Sequence, residues 1–230
     1  IVADGFSEAC INEVSIGGFV AAKAMATSFN DRPAEASRPF DADRDGFVIA
    51  EGAGLMVIET LEHALARNAT PLAEIVGYGT SADAYHVTAA PPDGEGAQQC
   101  MRAALAQGGI EPSKVGYINA HSTSTPVGDK GELAAIKAVF GANNVAVSST
   151  KSSTGHLLGA AGGLASIFTV KSLGDQVAPF NLNCHKPDDD AEHIDLVLGE
   201  PRFMPIHYAL CNGFGFGGVN ASLLLKVWRR

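Results

Sequence analysis

The chain has 230 residues, and its 25 acidic side chains outnumber 16 basic ones, for a formal net charge of −9. With 46% apolar and 18% charged residues it has the composition of a packed globular protein and not of a disordered tail; at roughly 100–200 residues per domain it holds one large domain or two small ones. The acidic balance and the lack of any Lys/Arg run argue against a nucleic-acid binder, and no apolar run reaches the roughly 18 residues of a membrane span.

The chain opens on Ile1-Val2-Ala3, a strand-like run with neither an initiator Met nor a signal peptide, which reads as a start inside a fold. Residues 17–28 have the small and apolar spacing of a short helix, and a polar loop follows from Asp31 to Gly46. Phe47 to Glu59 reads as two short strands split by a Gly turn. Thr60 is placed to cap a helix running to Arg67, and Ala73 to Gly79 is a strand. Residues 94–108 form an amphipathic helix with Ala97, Met101, Ala104 and Leu105 on one face. Then come a buried strand (Val115 to Asn119), a helix (Gly131 to Phe140), a strand (Val145 to Ser149), a polar loop with Lys151 and His156, and a small-residue helix (Leu157 to Leu173). Ala209 to Cys211 and Ser222 to Val227 are strands flanking a glycine loop. Strands alternating with helices, with polar motifs at strand ends, define a layered α/β protein.

Four Cys (Cys10, Cys100, Cys184, Cys211) are scattered without a CxxC pair, so neither zinc nor a disulfide framework fits, and they read mostly as buried thiols of a cytosolic protein. Three polar constellations carry the chemistry. The first runs from Asn119 to Asp129, where a strand delivers His121 followed by four hydroxyl residues, Ser122 to Thr125, and Pro126. The hydroxyls can bond amides or a phosphate-bearing arm of a ligand; the same residues also fit a capped loop before a helix with a packed His. The second, Ser148 to Gly163, sets Lys151 and His156 in a Ser/Thr-rich loop with no Walker A pattern; a solvated Lys and a His at a helix start are the plain alternative. The third, Asn212 to Asn220, interleaves glycines with Phe214 and Phe216 but leads into a strand, which argues against a dinucleotide fingerprint. It fits a turn offering N–H groups beside an apolar channel, and equally a tight turn with core Phe. Two His, one Lys and a glycine turn on separate loops can converge on a carbonyl. Neutral imidazoles then donate to a developing enolate oxygen, which suits carbon–carbon chemistry at a thioester.

At these residues the chain resembles the β-ketoacyl-acyl-carrier-protein synthases, the condensing enzymes of fatty-acid synthesis, along essentially its whole length. The HGTSTP motif stands as His121-Ser122-Thr123-Ser124-Thr125-Pro126, KxxxGHxxGAAG is intact from Lys151 to Gly162, and NSFGFGGTN stands as Asn212 to Asn220 with Gly213 and Val219 in place of Ser and Thr. Arg38 to Asp41, Arg44 to Phe47 and Ser81 to His86 also match, the last looking more like synthase II than synthase I.

The resemblance implies a thiolase-like α/β fold layered αβαβα, with residues 1–70 a truncated N-terminal half and 71–230 the complete C-terminal half. It implies a decarboxylating Claisen condensation of an acyl thioester with malonyl-acyl-carrier protein, with no metal or organic cofactor, the substrates riding on the carrier's phosphopantetheine arm. His121 and His156 match the family's catalytic histidines and Lys151 its active-site lysine, with Glu132 as the acid that holds it. Phe214 matches the gating ring and oxyanion-hole N–H; Thr123, Thr125, Gly215 and Phe216 match substrate-binding positions; Lys23, on the helix after the GGF segment, and Thr88, beside the channel mouth, match carrier-docking ones. The family's nucleophilic Cys lies upstream of Ile1, and Cys10, on the segment after the nucleophile helix, is the only nearby thiol. The expected partners are acyl carrier protein and a second copy of the full-length chain, with no nucleic acid and no membrane, in the cytoplasm. The alternatives are a relative lacking the Cys (a chain-length factor or malonyl decarboxylase) and a non-catalytic carrier-binding module, which would not need the two His and Lys151. Thiolases share the fold but lack this His/Lys/His set.

Overall fold

The computed structural model describes residues 2–142 and 144–229; Ile1 and Arg230, the outer ends of the expected two-part division, lie outside them. The elements run β1 (Val2–Ser7), α1 (Glu13–Ala21), β2 (Gly52–Val57), α2 (Leu61–Ala66), β3 (Ala73–Ala82), α3 (Glu95–Gly108), β4 (Val115–Asn119), α4 (Pro126–Phe140), β5 (Ala146–Ser148), α5 (Lys151–Thr154), α6 (Ala161–Asp175), β6 (Val177–Ala178), β7 (Asp195–Leu196), β8 (Arg202–Phe203), β9 (Tyr208–Gly215) and β10 (Val219–Val227).

The apolar runs read as strands assemble into one six-stranded mixed sheet in the order β3-β10-β9-β4-β5-β7. β3, β10 and β9 pair antiparallel, whereas β9, β4, β5 and β7 pair parallel. Both faces of this sheet are covered, so alternate residues of one strand feed two cores. Ile118, Leu210 and Leu224 join Met101, Leu133 and Ile136 of α3 and α4 on one side. Tyr117, Ala209 and Leu225 join Leu173 of α6 on the other. α6 also packs against β1 and β2, an antiparallel pair, so four layers follow one another: α3 with α4, the large sheet, α6, and the small sheet. Close approach decides the glycines of β3. A Cβ at Gly79 would stand 2.0 Å from the Cys100 carbonyl oxygen of α3, and one at Gly77 2.2 Å from that of Ala104. Among the described residues no helix is long and apolar enough to cross a membrane.

Several boundaries differ from the sequence reading, each for a local reason. The helix expected over 17–28 is α1, four residues earlier at its start, because Asn12 caps it by accepting the N–H groups of Val14 and Ser15. Lys23 stands beyond its end with φ 52°, so it is not a helix lysine. Only the second of the two strands expected in 47–59 forms; Phe47 and Ile49 make single bridges to Met25 and His156. α4 begins at Pro126 and not Gly131, since proline's fixed φ suits the first helical position. The small-residue helix starts at Ala161, because Leu158 takes φ 50° and a short 3-10 turn precedes it. Lys151 lies in the short helix α5, buried, and not in a solvated loop. Cys10 is exposed, while the other three thiols are buried.

Candidate active site

The parallel strands β4 and β5 end at one place, and their C-terminal ends carry the first two polar motifs. Asn119 closes β4 fully buried; its amide donates to the Ala165 carbonyl (3.0 Å) and Thr169 Oγ1 (3.3 Å) of α6 and accepts from Thr150 Oγ1 (3.2 Å). His121 follows, and the loop after it is held by two carboxylates three residues apart on the early turns of α4. Glu132 accepts the N–H of His121 (2.9 Å), the N–H of Ser122 (2.7 Å) and the Ser122 hydroxyl (2.8 Å). Asp129 accepts the N–H groups of Thr123 (3.0 Å) and Ser124 (3.2 Å) through one oxygen and that of Phe40 (3.0 Å) through the other. Residues at i and i+3 share a helix face, so one helix end fixes the whole loop. Burial raises the Asp129 carboxyl to about 6 against the pull of Arg44.

His156 arrives differently. Gly155 takes φ 71°, and a Cβ there would sit 2.8 Å from the Val48 carbonyl oxygen. The chain then pairs with the 48–50 segment: His156 N–H donates to Val48 O (2.7 Å) and Ala50 N–H to His156 O (3.0 Å). Leu158 N–H donates to His156 Nδ1 (3.3 Å), so the neutral ring carries its proton on Nε2. The two imidazoles meet edge to face, 5.6 Å between centroids; Phe214 lies 5.6 Å from His121, and Phe47 5.3 Å from His156. Burial first, and then the charge of Lys151, holds His156 down at about 3; His121 lies well below the usual histidine range for the same reasons, with His156 adding to them. Burial also lowers Lys151, against the opposing influence of Glu132, Cys211 and Asp129. The expected Glu132–Lys151 contact needs correcting. Glu132 acts on the lysine through space, and among the described residues the two form no direct ion pair, because its oxygens are taken by the His121 loop and by Asn212 Nδ2 (2.9 Å).

A cavity of about 240 Å³ opens on His121, Lys151, Asn212, Phe214 and Gly215. No thiol lines it. Burial raises Cys100 to about 11, Cys184 to about 12, and Cys211 likewise upward. Thr123 and Thr125 share a hydroxyl–hydroxyl hydrogen bond (3.2 Å), and neither lines the cavity. Phe216 sits at the hairpin turn, half exposed and off the cavity wall. Thr88 is exposed beside Val87, whose carbonyl accepts Gly217 N–H (2.7 Å) from that same turn. Lys23 is exposed on the surface. A larger open concavity of about 760 Å³ along residues 187–198 contains none of these groups.

Residues that the sequence reading named as family matches without giving them a role hold the site in place. The 38–44 segment is buried against the His121 loop: Arg38 pairs with Asp41 (3.0 Å), and Arg44 pairs with Asp188 (2.6 Å) while donating to the carbonyls of Asp41, Thr125 and Pro126. Asp83 accepts from Asn220 Nδ2 (2.6 Å), and its N–H donates to Gly218 O (2.8 Å), tying the 81–86 motif to the glycine hairpin. An acid three residues into a Pro-initiated helix was the available signal for Asp129.

Fold and site together define a thiolase-like α/β protein with paired neutral histidines and a buried lysine at its strand ends. Family models for the β-ketoacyl synthase N-terminal domain and C-terminal domain match residues 2–64 and 72–185, and the chain belongs to the β-ketoacyl synthase family. It is 50% identical over 228 residues to a 3-oxoacyl-[acyl-carrier-protein] synthase 2 of Rhizobium meliloti (strain 1021), covering 98% of this chain and 54% of that protein. It is 48% identical to the mitochondrial 3-oxoacyl-[acyl-carrier-protein] synthase of Arabidopsis thaliana, covering 97% and 50%. Among solved structures, a type II PKS acyl-carrier protein in complex with its ketosynthase superimposes with TM-score 0.93 at 36% identity, covering 97% of this chain and 55% of that one. A β-ketoacyl synthase from Burkholderia phymatum STM815 gives 0.90 at 36% identity, covering 99% and 54%. The chain spans about half the length of the relatives it matches.

Proposed function

We propose that this chain supplies the histidine and lysine side of a 3-oxoacyl-acyl-carrier-protein synthase of the synthase II type, acting in fatty-acid synthesis. The observation that carries the reading is the meeting of neutral His156 with neutral His121, which lines one cavity together with Phe214 and Lys151. In this reading the malonyl thioester loses carbon dioxide, and the electron pair of the broken C–C bond forms an enolate. Imidazole N–H groups of His121 and His156 donate to its oxygen, which neutral rings do at neutral pH. The enolate carbon then attacks an acyl thioester, whose thiolate leaves. Phe214 closes the acyl channel with its ring while its N–H faces the developing oxyanion; Thr123, Thr125, Gly215 and Phe216 border the phosphopantetheine arm. No metal or organic cofactor enters these steps.

The acyl-bearing cysteine comes from outside the cavity wall described above, so the isolated 230-residue chain does not condense. Residues 1–70 and 71–230 belong to the N-terminal and C-terminal halves of a homodimeric cytoplasmic enzyme. Acyl carrier protein docks near Lys23 and Thr88; the likeness to a ketosynthase bound to its carrier protein supports that partner. In the full-length protein, His121→Ala and His156→Ala each lower malonyl decarboxylation by about 10²-fold or more, as loss of an oxyanion donor does. Unchanged decarboxylation in both variants rejects the assignment. Full decarboxylation without condensation in the full-length protein favours the alternative, a relative lacking the Cys.

A further inference from the structure

Four buried polar side chains on four separate elements form one hydrogen-bonded line that ends at the His121 loop. Asn212 on β9 donates through Nδ2 to Glu132 Oε1 (2.9 Å), the oxygen that also accepts His121 N–H (2.9 Å). Ser222 on β10 donates its hydroxyl to Asn212 Oδ1 (2.7 Å). Cys100 on α3 lies with its sulfur 3.2 Å from the Ser222 oxygen. Ser222 and Cys100 are fully buried, and Asn212 nearly so.

The chemistry of each group fixes the direction of this line. Every other contact of Glu132 is a donor, so the Asn212 amide must turn its nitrogen toward the carboxylate and its oxygen toward Ser222. Ser222 has one proton and gives it to that oxygen. The single proton of the Cys100 thiol faces both the Ser222 oxygen (3.2 Å) and the Ala97 carbonyl oxygen (3.3 Å). Glu132 thus decides which way the Asn212 amide faces, and Ser222 supplies the donor that the amide oxygen then needs. A reversed amide would set its oxygen against the Glu132 carboxylate, with two acceptors in contact. Asn212 and Ser222 also sit opposite each other in the β9–β10 register, two residues from Phe214 and its partner Asn220. The line therefore sets the strand pair that carries Phe214 at a fixed distance from His121.

We propose that Ser222 and Asn212 are positioning residues of the condensation site, orienting Glu132 and through it His121 relative to Phe214. The proposal rests on the reading of His121 as a group acting on the malonyl thioester. Neither residue needs to touch substrate to act this way, although Asn212 borders the cavity.

The test uses the full-length protein. Ser222→Ala lowers kcat for malonyl decarboxylation by about tenfold, the range for leaving one buried acceptor, Asn212 Oδ1, unsatisfied, with little change in KM, and shifts the His121 backbone amide resonance. Ser222→Thr, which keeps the hydroxyl, restores both. Asn212→Asp gives the sharper signature: a protonated carboxyl can still donate to Glu132 and an ionised one repels it. Its activity relative to wild type therefore falls as pH rises, whereas that of Asn212→Ala stays low at every pH. Wild-type kcat and an unmoved His121 amide in folded Ser222→Ala overturn the proposal. If that variant does not fold, a flat relative pH profile for Asn212→Asp overturns it instead. Either result, obtained while His121→Ala still abolishes decarboxylation, rejects the positioning line and leaves the reading of His121 intact.

Discussion

The rings of His121 and His156 stand 87° apart in plane and 5.6 Å apart between centroids, delivered by two unrelated devices. One follows a buried strand and is held by a carboxylate at its backbone N–H; the other follows a left-handed glycine and is held at its ring nitrogen by Leu158 N–H. Burial beside Lys151 keeps both rings without charge, and this has a measurable cost in acid.

Unfolding releases two histidines that protonate near the ordinary value of 6.5, while folded His156 resists protonation down to about 3 and folded His121 is lowered as well. Depressed folded values mean that this stability is complete above pH 6.5 and is lost as pH falls. Each ring contributes a slope of about 1.4 kcal/mol per pH unit. Asp129 works in the opposite direction: raised from 3.8 to about 6, it contributes stability that is present below 3.8 and lost as pH rises toward 6. From these groups, acidification below pH 6 lowers stability on balance: the His156 slope alone, about 1.4 kcal/mol per pH unit, offsets that of Asp129, and the lowered His121 adds to the loss. Urea unfolding at pH 4.5, 5.5 and 6.5 measures it. His156→Gln should flatten the curve by about the same slope; an unaltered curve contradicts the burial argument.

The contact of β3 with α3 predicts opposite results for two glycines. Gly79→Ala forces a methyl group to within 2.0 Å of a backbone oxygen, so the strand or helix must move. Overpacking of this kind costs about 1–3 kcal/mol or more. Gly174 lies within α6 with nothing within 4 Å of an added Cβ, so Gly174→Ala stabilises by about 0.5–1 kcal/mol. Thermal unfolding of the two variants decides between them; a neutral Gly79→Ala would show that α3 is not seated this tightly.

Lys23 stands exposed past the end of α1 at a left-handed backbone position. If an acidic carrier protein docks there, Lys23→Glu raises the apparent KM for carrier-bound malonyl substrate and weakens its dependence on salt. Free pantetheine thioesters should be used as before. An equal rise in KM for both substrates assigns the effect to folding and removes Lys23 from the docking surface.

Strands buried on both faces announce themselves by apolar runs, which is why β4 appears at the boundaries its sequence suggests, and the amphipathic pattern of α3 was just as legible. The start of α4 was missed because its first turn, Pro126 to Lys130, is polar and glycine-containing, and only the Pro marks it. Motif residues His121, Lys151, Phe214 and Gly215 do gather at one cavity. What the sequence could not display is how Glu132 divides its oxygens: its neighbours Asn212 and Ser122 come from distant and near parts of the chain and compete for the same carboxylate. A solvated Lys151 stayed open as the alternative because a Ser/Thr-rich run is polar by composition, yet the hydroxyls of Ser149 and Ser152 are buried and satisfied: Ser149 Oγ donates to Ser122 O (2.6 Å), and Ser152 Oγ accepts Leu182 N–H (2.9 Å).

The 230-residue chain by itself should not catalyse condensation. Condensation needs a thiolate against both histidines. Three of the four thiols are buried with raised pKa, and none lines the cavity. Cys10 is exposed in the loop between β1 and α1. The outer face of the small sheet is apolar and open: Phe6 is 74% exposed, Leu55 63% and Val57 70%, and Val14 on α1 reaches 86%. Contiguous apolar surface of this kind, next to unpaired strand edges, drives association. The purified chain should therefore elute as more than a monomer and yield no β-ketoacyl product when mixed with acyl- and malonyl-carrier protein, as read by mass spectrometry. A thiol reagent should modify Cys10 well before the other three. A β-ketoacyl product accompanied by an acyl adduct on Cys10 would make that exposed thiol the nucleophile and overturn the placement of the acyl-bearing cysteine elsewhere.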